Sequence, residues 1–386
     1  MRLSESRNMR LVGHSDLNGM GDGMHINVRD GYAYFAHQGN GGTSIVDVRD
    51  PREPKVVNRI PAPPNTHSHK VQIVGDILLV NRERQQESMG GDLFHQWMAG
   101  ISVYDLSDPV NPREISFWSC AGRGVHRMVF WEEPYVYACA GASQYDNQIL
   151  AILDLSDPAR PVEVGRWGVP GMRRDEAHLR TWTDEQTVKF HHGIPRGDRL
   201  YCGWWDIGLV ILDIADKTNP SLVASLNLNE ADGPSRNTHT VCPWPGTEAV
   251  IVTDEATKQA REGIPFYSRV VDITDEKQPA VLARFPTPEG TYPERAGRFG
   301  PHNIHEPRPG SFQDPNLVFM TYFNAGLRVF DVSDVSAPVE VAFAVPETPP
   351  GLPAIQLNDL YVSADGLAYV SDRFGGGMYI FELTGI

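Results

Sequence analysis

The chain has 386 residues, 41% hydrophobic and 22% charged, with 36 glycines and 30 prolines; this composition describes a turn-rich globular protein and excludes a disordered or purely helical one. A formal net charge of −15, with no cluster of Lys and Arg, opposes binding to a phosphate backbone, so no nucleic-acid partner is expected. The opening "MRLSESRNMRLVGHSD" has no apolar leader segment and no apolar run long enough to span a bilayer follows, so no membrane association is expected and the protein is read as cytoplasmic.

In chain order, a lone strand pattern, "MRLVGHSDL" from Met9, precedes four alternating segments, "HINV", "YAYFA", "SIVDV" and "KVVNRI", separated by turn residues. Period-two alternation bounded by such residues predicts short strands. The third segment opens a motif that recurs: "TSIVDVRDPREP" at 43, "ISVYDLSDPVNP" at 101, "LAILDLSDPARP" at 150, "LVILDIADKTNP" at 209, "SRVVDITDEKQP" at 268, "LRVFDVSDVSAP" at 327 and a degenerate "GGMYIFELTGI" at 376. The strand-ending acids Asp47, Asp105, Asp154, Asp213, Asp272, Asp331 and Glu382 fall 58, 49, 59, 59, 59 and 51 residues apart. Such periods, filled with β-branched runs and Asp-Pro turns, are those of propeller blades. The Asp and Pro of the motif are read as turn formers, since Asp caps its own backbone and Pro fixes φ.

The last repeat lacks a fourth strand, and the lone N-terminal segment resembles the outer strands "PVEVGRWGV" and "PVEVAFAV". It is expected to complete the last blade, which removes exposed sheet edges. The expectation is therefore an all-β chain, one domain over residues 1–386, forming a seven-bladed β-propeller of four-stranded blades closed by the N-terminal strand. Cys120, Cys139, Cys202 and Cys242 form no C-x-x-C and are read as reduced thiols acting as small hydrophobes.

The "L-x-I-x-D-x-S-D-P-x-x-P" units resemble the LVIVD-repeat β-propellers over essentially the whole chain. That resemblance implies the fold and is nearly silent about chemistry, because propellers host many functions. More distantly, a seven-bladed ring with axial histidines is similar to the selenium-binding protein and methanethiol oxidase group and to the carotenoid oxygenases, where four histidines hold iron.

In a propeller the innermost strand of each blade lines the central channel, and the loops joining second and third strands open on one face of it. Of the 13 histidines, His25, His67, His69, His126, His191, His192, His239, His302 and His305 lie in or just before a first strand. Six blades thus send an imidazole toward the channel, and the seventh, "AIQLNDLYVSADG", sends none. Converging imidazoles in a narrow channel are costly to charge or to desolvate without a partner, and a divalent transition metal (Fe, Cu, Mn or Zn) is the natural one. The expected ligands are a subset of His69, His126, His191, His239 and His302, which without a thiolate leave coordination positions open. Strand alternation lets His67 and His69 share a face and sends His191 and His192 to opposite faces.

Candidate acid–base groups are His192 and His305 with the tip carboxylates Asp206 and Asp254; candidate substrate-binding groups are His25, His37, Trp205 and Arg127. Glu83, Glu255 and Glu306 are further carboxylates of the same kind. Long insertions at 81–99, 168–190, 254–267 and 286–301 fall on the same face, as functional loops or lids do. Their arginines, among them Arg173, Arg174, Arg180, Arg261, Arg295 and Arg298, are candidates for a carboxylate or phosphate. The opposite face carries terse turns. No G-x-G-x-x-G, P-loop or G-x-S-x-G occurs, which disfavours nucleotide and serine-hydrolase chemistry. The expected function is a metal-dependent enzyme acting on a small organic substrate, leaning to oxidase or oxygenase chemistry as the distant similarity implies. Lyase, isomerase or hydrolase chemistry by the same His and Asp groups, or a metal-free binding propeller, are the alternatives.

Overall fold

Each repeat carries runs of alternating residues too short to bury a face alone. In a computed structural model of the chain, which describes residues 2–39, 41–92, 94–233, 236–259 and 266–385, these runs pair as seven antiparallel sheets. The first blade is Gly23–Arg29, Tyr32–His37, Thr43–Asp47 and Lys55–Ile60; the fourth is His192–Arg196, Arg199–Gly203, Leu209–Asp213 and Ser221–Leu226. Apolar residues of successive blades interlock, as where Leu79, Ile101 and Val103 of the second meet Val136, Ala138 and Leu153 of the third. Cys139, Cys202 and Cys242 are buried and unpaired within these walls. No helix among the described residues is long and apolar enough to cross a membrane.

The repeated aspartates are turn formers. Asp47, Asp105, Asp154, Asp213, Asp272 and Asp331 each accept the backbone N–H of the residue two positions on, at 2.7–3.1 Å, the Asx turn that ends the third strand. On the outer strand of the third blade, a Cβ on Gly165 would overlap the carbonyl of Lys217 in the next blade's turn, and a Cβ on Gly13 would overlap that of Pro51. Absence of a side chain there lets blades approach.

Met9–Ser15 pairs antiparallel with Gly377–Leu383 and is the outer strand of the last blade. A second N-terminal strand went unforeseen: Leu3–Arg7 pairs with Val339–Pro346 and edges the sixth blade. Its polar "LSESR" offers no apolar alternation. It is held by backbone pairing and by Glu5, which accepts from Tyr292 Oη at 2.6 Å and Arg295 Nη2 at 2.8 Å.

One irregularity recurs in every inner strand. The register shifts between Gly23 and His25, between Val125 and Met128, between Thr238 and Thr240, and between Leu357 and Asp359. In the second blade the inner strand is broken between Thr66–His67 and Val71–Val74. In the fourth, His191 and His192 both face Gly203; in the sixth, His302 and Asn303 both face Thr321. Each is a β-bulge, which re-aims a side chain at the expense of one ladder position.

Removing residues 1–7 is expected to cost a few kcal/mol, at roughly 1 kcal/mol net per lost hydrogen bond. Removing residues 1–15 strips the last blade of its outer strand and is expected to yield an aggregating or unfolded protein. Thermal melting with size-exclusion chromatography of both truncations checks this; equal stability of the two would contradict closure by Met9–Ser15.

Candidate functional site

The bulges place two residues per blade on the channel in two layers. The upper layer, in chain order, is Met24, His69, His126, His191, His239, His302 and Asn358. One residue further along lies the lower layer, His25, Arg127, His192, Asn303 and Asp359, joined by contacts to one another and to Glu306, while Lys70 reaches from beneath into the upper cavity. His67 joins the upper layer from the broken strand of the second blade. Six imidazoles then form a continuous arc, with ring centroids 3.9 Å apart for His67 and His69, 4.8 Å for His69 and His126, 5.1 Å for His126 and His191, 4.0 Å for His191 and His239, and 4.3 Å for His239 and His302. The arc opens onto a cavity of about 290 Å³.

Hydrogen bonds on one side of each ring decide what the other side offers. His191 Nδ1 donates to the carbonyl of His239 at 3.0 Å, and His302 Nδ1 lies 2.6 Å from that of Asn358. His126 Nδ1 donates to Glu83 Oε2 at 2.9 Å. In the neutral ring His191 and His126 therefore present an unprotonated Nε2, whereas His302 Nδ1 also faces Asn303 Nδ2 at 2.9 Å, which permits either tautomer. His239 Nδ1 meets Thr240 Oγ1 at 2.8 Å, which permits either tautomer. His69 is the reverse case. Asn81 takes the Lys70 N–H at 2.7 Å on Oδ1 and gives Nδ2 to the Val125 carbonyl at 2.8 Å, so the same Nδ2, 3.1 Å from His69 Nδ1, donates to it. The His69 proton then sits on Nε2, which is buried without a partner, as are both nitrogens of His67.

Burial holds every imidazole of the arc below its ordinary pKa. The effect is large for His69, His191 and His239; His67 is brought to about 4 against the pull of Glu83, and His302 to about 3 against that of Glu255. His126 is also lowered by burial, opposed by Glu83. The arc is neutral at pH 7. Burial would raise Glu83, but its contacts with His126 and Arg123 reverse this and keep it below the usual carboxylate range. Since His126 is neutral, hydrogen bonds from its Nδ1 and from Gln148 Nε2 at 3.1 Å, with Arg123 at 3.7 Å, hold the charge. Glu255 is likewise brought to about 2, burial being outweighed by His302, Arg298 and Arg373; Arg298 lies 2.9 Å from its Oε1.

Two groups bring three possible ligand atoms within 4.8 Å of one another: His67, His69 and Glu83, and His191, His239 and Glu255. The second fits a metal better. His191 offers a bare Nε2 braced by a carbonyl on Nδ1, the arrangement that orients metal-bound histidines, whereas His69 is held in the wrong tautomer by Asn81.

All four insertions reach the cavity, through Met89, Lys189, Thr257 and Arg298. Trp205 lines it and is held at φ 38°, and Phe323, at φ 46°, stacks on His302 at 4.8 Å; aromatic residues adopt such backbone only under constraint. Lys70 and Arg373 also line the cavity, and neither they, Lys189 nor Phe323 were anticipated. A tip "WWDIG" repeated as "YFNAG" two blades later was the available signal for Phe323.

Several expected residues lie elsewhere. His25 and Arg127 are in the lower layer, so five blades rather than six feed the arc. Arg127 bonds Asn303 Oδ1 at 2.8 Å and Glu306 Oε1 at 2.7 Å, and His25 Nε2 is 3.6 Å from Asp359 Oδ2. His192 Nε2 is 3.2 Å from Glu306 Oε1 but outside hydrogen-bond geometry. His37 is spent between Asp22 at 2.9 Å and Ser44 at 2.8 Å, and His305 between the Phe312 carbonyl at 2.9 Å and the Val362 N–H at 3.1 Å. Asp206 caps the N–H groups of Thr187 and Asn237, and Asp254 is buried on Arg269 at 3.0 Å. These two tip acids hold loops, as local Asp–backbone bonding dictates. Arg173 pairs with Asp175, Arg174 and Arg180 with Asp146, and Arg295 with Glu5; Arg261 lies outside the described residues. The terse face holds a cleft of about 700 Å³, lined by Gly31, Gly75, Trp131 and Asp365 among others and by none of the arc.

Comparison with known proteins bears on the repeat and the fold. The LVIVD repeat matches residues 20–60, 137–168, 196–227 and 316–343. No curated protein sequence matches the chain. Among solved structures, the U3-55K structure is similar with a TM-score of 0.61 at 10% identity, over 97% of this chain and 98% of that one. The β-propeller domain of Cps50 (Swd1) from Myceliophteria thermophila has a TM-score of 0.58 at 12% identity, over 94% and 97% of the chains. The computationally designed Ika8 protein has a TM-score of 0.55 at 9% identity, over 97% and 99%. Likeness at such identities is one of fold. The chain is a seven-bladed β-propeller that carries LVIVD repeats in these four stretches.

Proposed function

We propose that the protein is a metal-dependent enzyme acting on a small organic molecule in the channel cavity. The observation that carries this reading is the arc of neutral imidazoles in which His191, beside His239, keeps a bare Nε2 while the His239 carbonyl fixes its Nδ1. His191, His239 and Glu255 would hold the ion. Two histidines and one carboxylate with open positions are the donor set of non-haem iron oxygenases, so the metal would supply oxidative chemistry if it is iron and Lewis-acid chemistry if it is zinc.

The chain's own groups then have separable tasks. Trp205 and Met89 wall the cavity with apolar surface. Arg298 holds Glu255 in place. His126 keeps 21% of its side-chain surface open, against 4% for His67 and 3% for His302, and Glu83 fixes its tautomer. It is the group best placed to take a proton from a substrate at Nε2, with Glu83 stabilising the imidazolium that results. The same dyad favours a second reading, acid–base catalysis without a metal, in which activity would survive chelation.

Metal content is the first test. Protein purified without a histidine tag is expected to carry near-stoichiometric iron, copper, manganese or zinc by plasma mass spectrometry. His191→Ala and His239→Ala are expected to lose at least about tenfold in metal affinity, as ligand-shell changes do, whereas His305→Ala and His37→Ala keep it. A folded wild type that neither holds nor takes up metal would sink the proposal.

Acid stability follows from the same neutral rings. Between pH 6.5 and about 4, the unfolded chain binds protons at His67 and His302 that the folded chain refuses, so stability is lost as pH falls through that window. The slope is about 1.4 kcal/mol per pH unit for each such group. Thermal melting of metal-free protein is expected to show the Tm falling from pH 6.5 to 4, less steeply in His302→Gln. A flat Tm would mean that the arc is not desolvated.

A further inference from the structure

The cavity is cationic in an acidic protein. The chain has a formal net charge of −15, yet Lys70, Lys189, Arg298 and Arg373 line the cavity against a single carboxylate, Glu255. Glu255 already serves Arg298 at 2.9 Å and, more distantly, Arg373 at 4.0 Å. Lys70 lies in the field of Asp359. Lys189 is different. Its Nζ lies 3.7 Å from the centroid of the Trp205 ring, its one close partner among the described residues. The indole N–H of Trp205 is itself buried with no acceptor, and Trp205 is held on left-handed backbone at φ 38°.

Glu83 and Glu255 act on the Lys189 ammonium only from a distance, and an ammonium taken largely out of water without a direct ion pair is costly, as is a buried N–H without an acceptor. The fold maintains both on one wall of a cavity that the partly engaged guanidinium of Arg373 also lines. A lid of surplus cations over low-dielectric walls also draws anions in from solution. We propose that the cavity binds a small organic carboxylate, its charged end on Lys189 and Arg373 and its apolar body against Trp205, Met24 and Met89. The enzyme's substrate is then an organic acid, a conclusion that rests on the substrate position proposed above. One ammonium and one shared guanidinium match a single negative charge, and among the described residues only a single 3-10 turn, Glu87–Met89, borders the cavity, with no α-helix N-terminus of the kind that holds phosphate. The volume, about 290 Å³, is near the lower bound for ligand pockets and suits a molecule well below nucleotide size.

The test is titration calorimetry of the whole chain with benzoate, its neutral isostere benzamide, and inorganic phosphate, on wild type, Lys189→Met and Lys189→Arg. Benzoate is expected to bind at least about tenfold more tightly than benzamide, a difference of about 1.4 kcal/mol, and more tightly than phosphate. Lys189→Met, which keeps the stem over Trp205, is expected to lose that selectivity, and Lys189→Arg to retain it. Equal binding of benzamide, tighter binding of phosphate, no benzoate binding at all, or full benzoate binding by folded Lys189→Met would each overturn the proposal. If Lys189→Met does not fold, the benzoate–benzamide comparison on wild type decides alone. Metal content measured on the same samples separates the two readings: a metal-free protein selective for benzoate sinks the metalloenzyme and leaves the acid-binding cavity, whereas a metal-loaded protein indifferent to charge sinks only the latter.

Discussion

The channel face depends on one local constraint, the bulge at the same place in each inner strand. A strand in regular register sends alternate side chains to opposite faces, and neighbours such as His191 and His192 would part company without two layers being built. The bulge stacks them on the channel instead. It also frees a carbonyl from the ladder, and the imidazole of the preceding blade takes it: His191 bonds to His239 and His302 to Asn358. At His191 the bond that joins one blade to the next is thus the bond that sets the tautomer. A mutation that disturbs the joint between blades therefore disturbs the proton inventory of the channel as well.

Electrostatics divide the two layers. The lower one is balanced, with Arg127 on Glu306 at 2.7 Å and Lys70 in the field of Asp359, whose carboxyl burial raises. Such pairs, taken out of water, contribute more to specificity of arrangement than to net stability. The upper layer is unbalanced. Its imidazoles are neutral because burial makes charging them expensive, and that neutrality is what lets four cationic side chains share the same cavity without prohibitive repulsion. Charge is concentrated where a ligand can reach it, and is cancelled where it cannot.

Much of this was legible in the sequence, for identifiable reasons. The six motif aspartates announce their turns because an Asx turn is a property of four consecutive residues. The closing strand Met9–Ser15 was recognisable because it repeats the apolar alternation of other outer strands. Leu3–Arg7 has no such alternation and was invisible. The histidine-bearing strands were legible, but the layer of each was not, since a bulge is decided by pairing across strands and leaves no local mark; hence His25 and Arg127 fall below the arc. His37 and His305 look like channel residues by position and are consumed by neighbours distant in sequence, Asp22 and Val362 among them. Lys189 reads as loop, and only the folded ring brings it over Trp205.

The closure of the ring has a consequence in time. Met9–Ser15 and Leu3–Arg7 are synthesised more than 330 residues before their partners, Gly377–Leu383 and Val339–Pro346. At roughly 5–20 residues per second, the earliest strands wait on the order of 20–70 s with unpaired edges while six blades assemble behind them. During that interval nascent chains on one messenger carry complementary, unsatisfied strands, and exchange between copies competes with closure. Slower synthesis lengthens the exposure, so soluble yield is expected to depend on translation speed and on chaperone occupancy as much as on the stability of the finished ring.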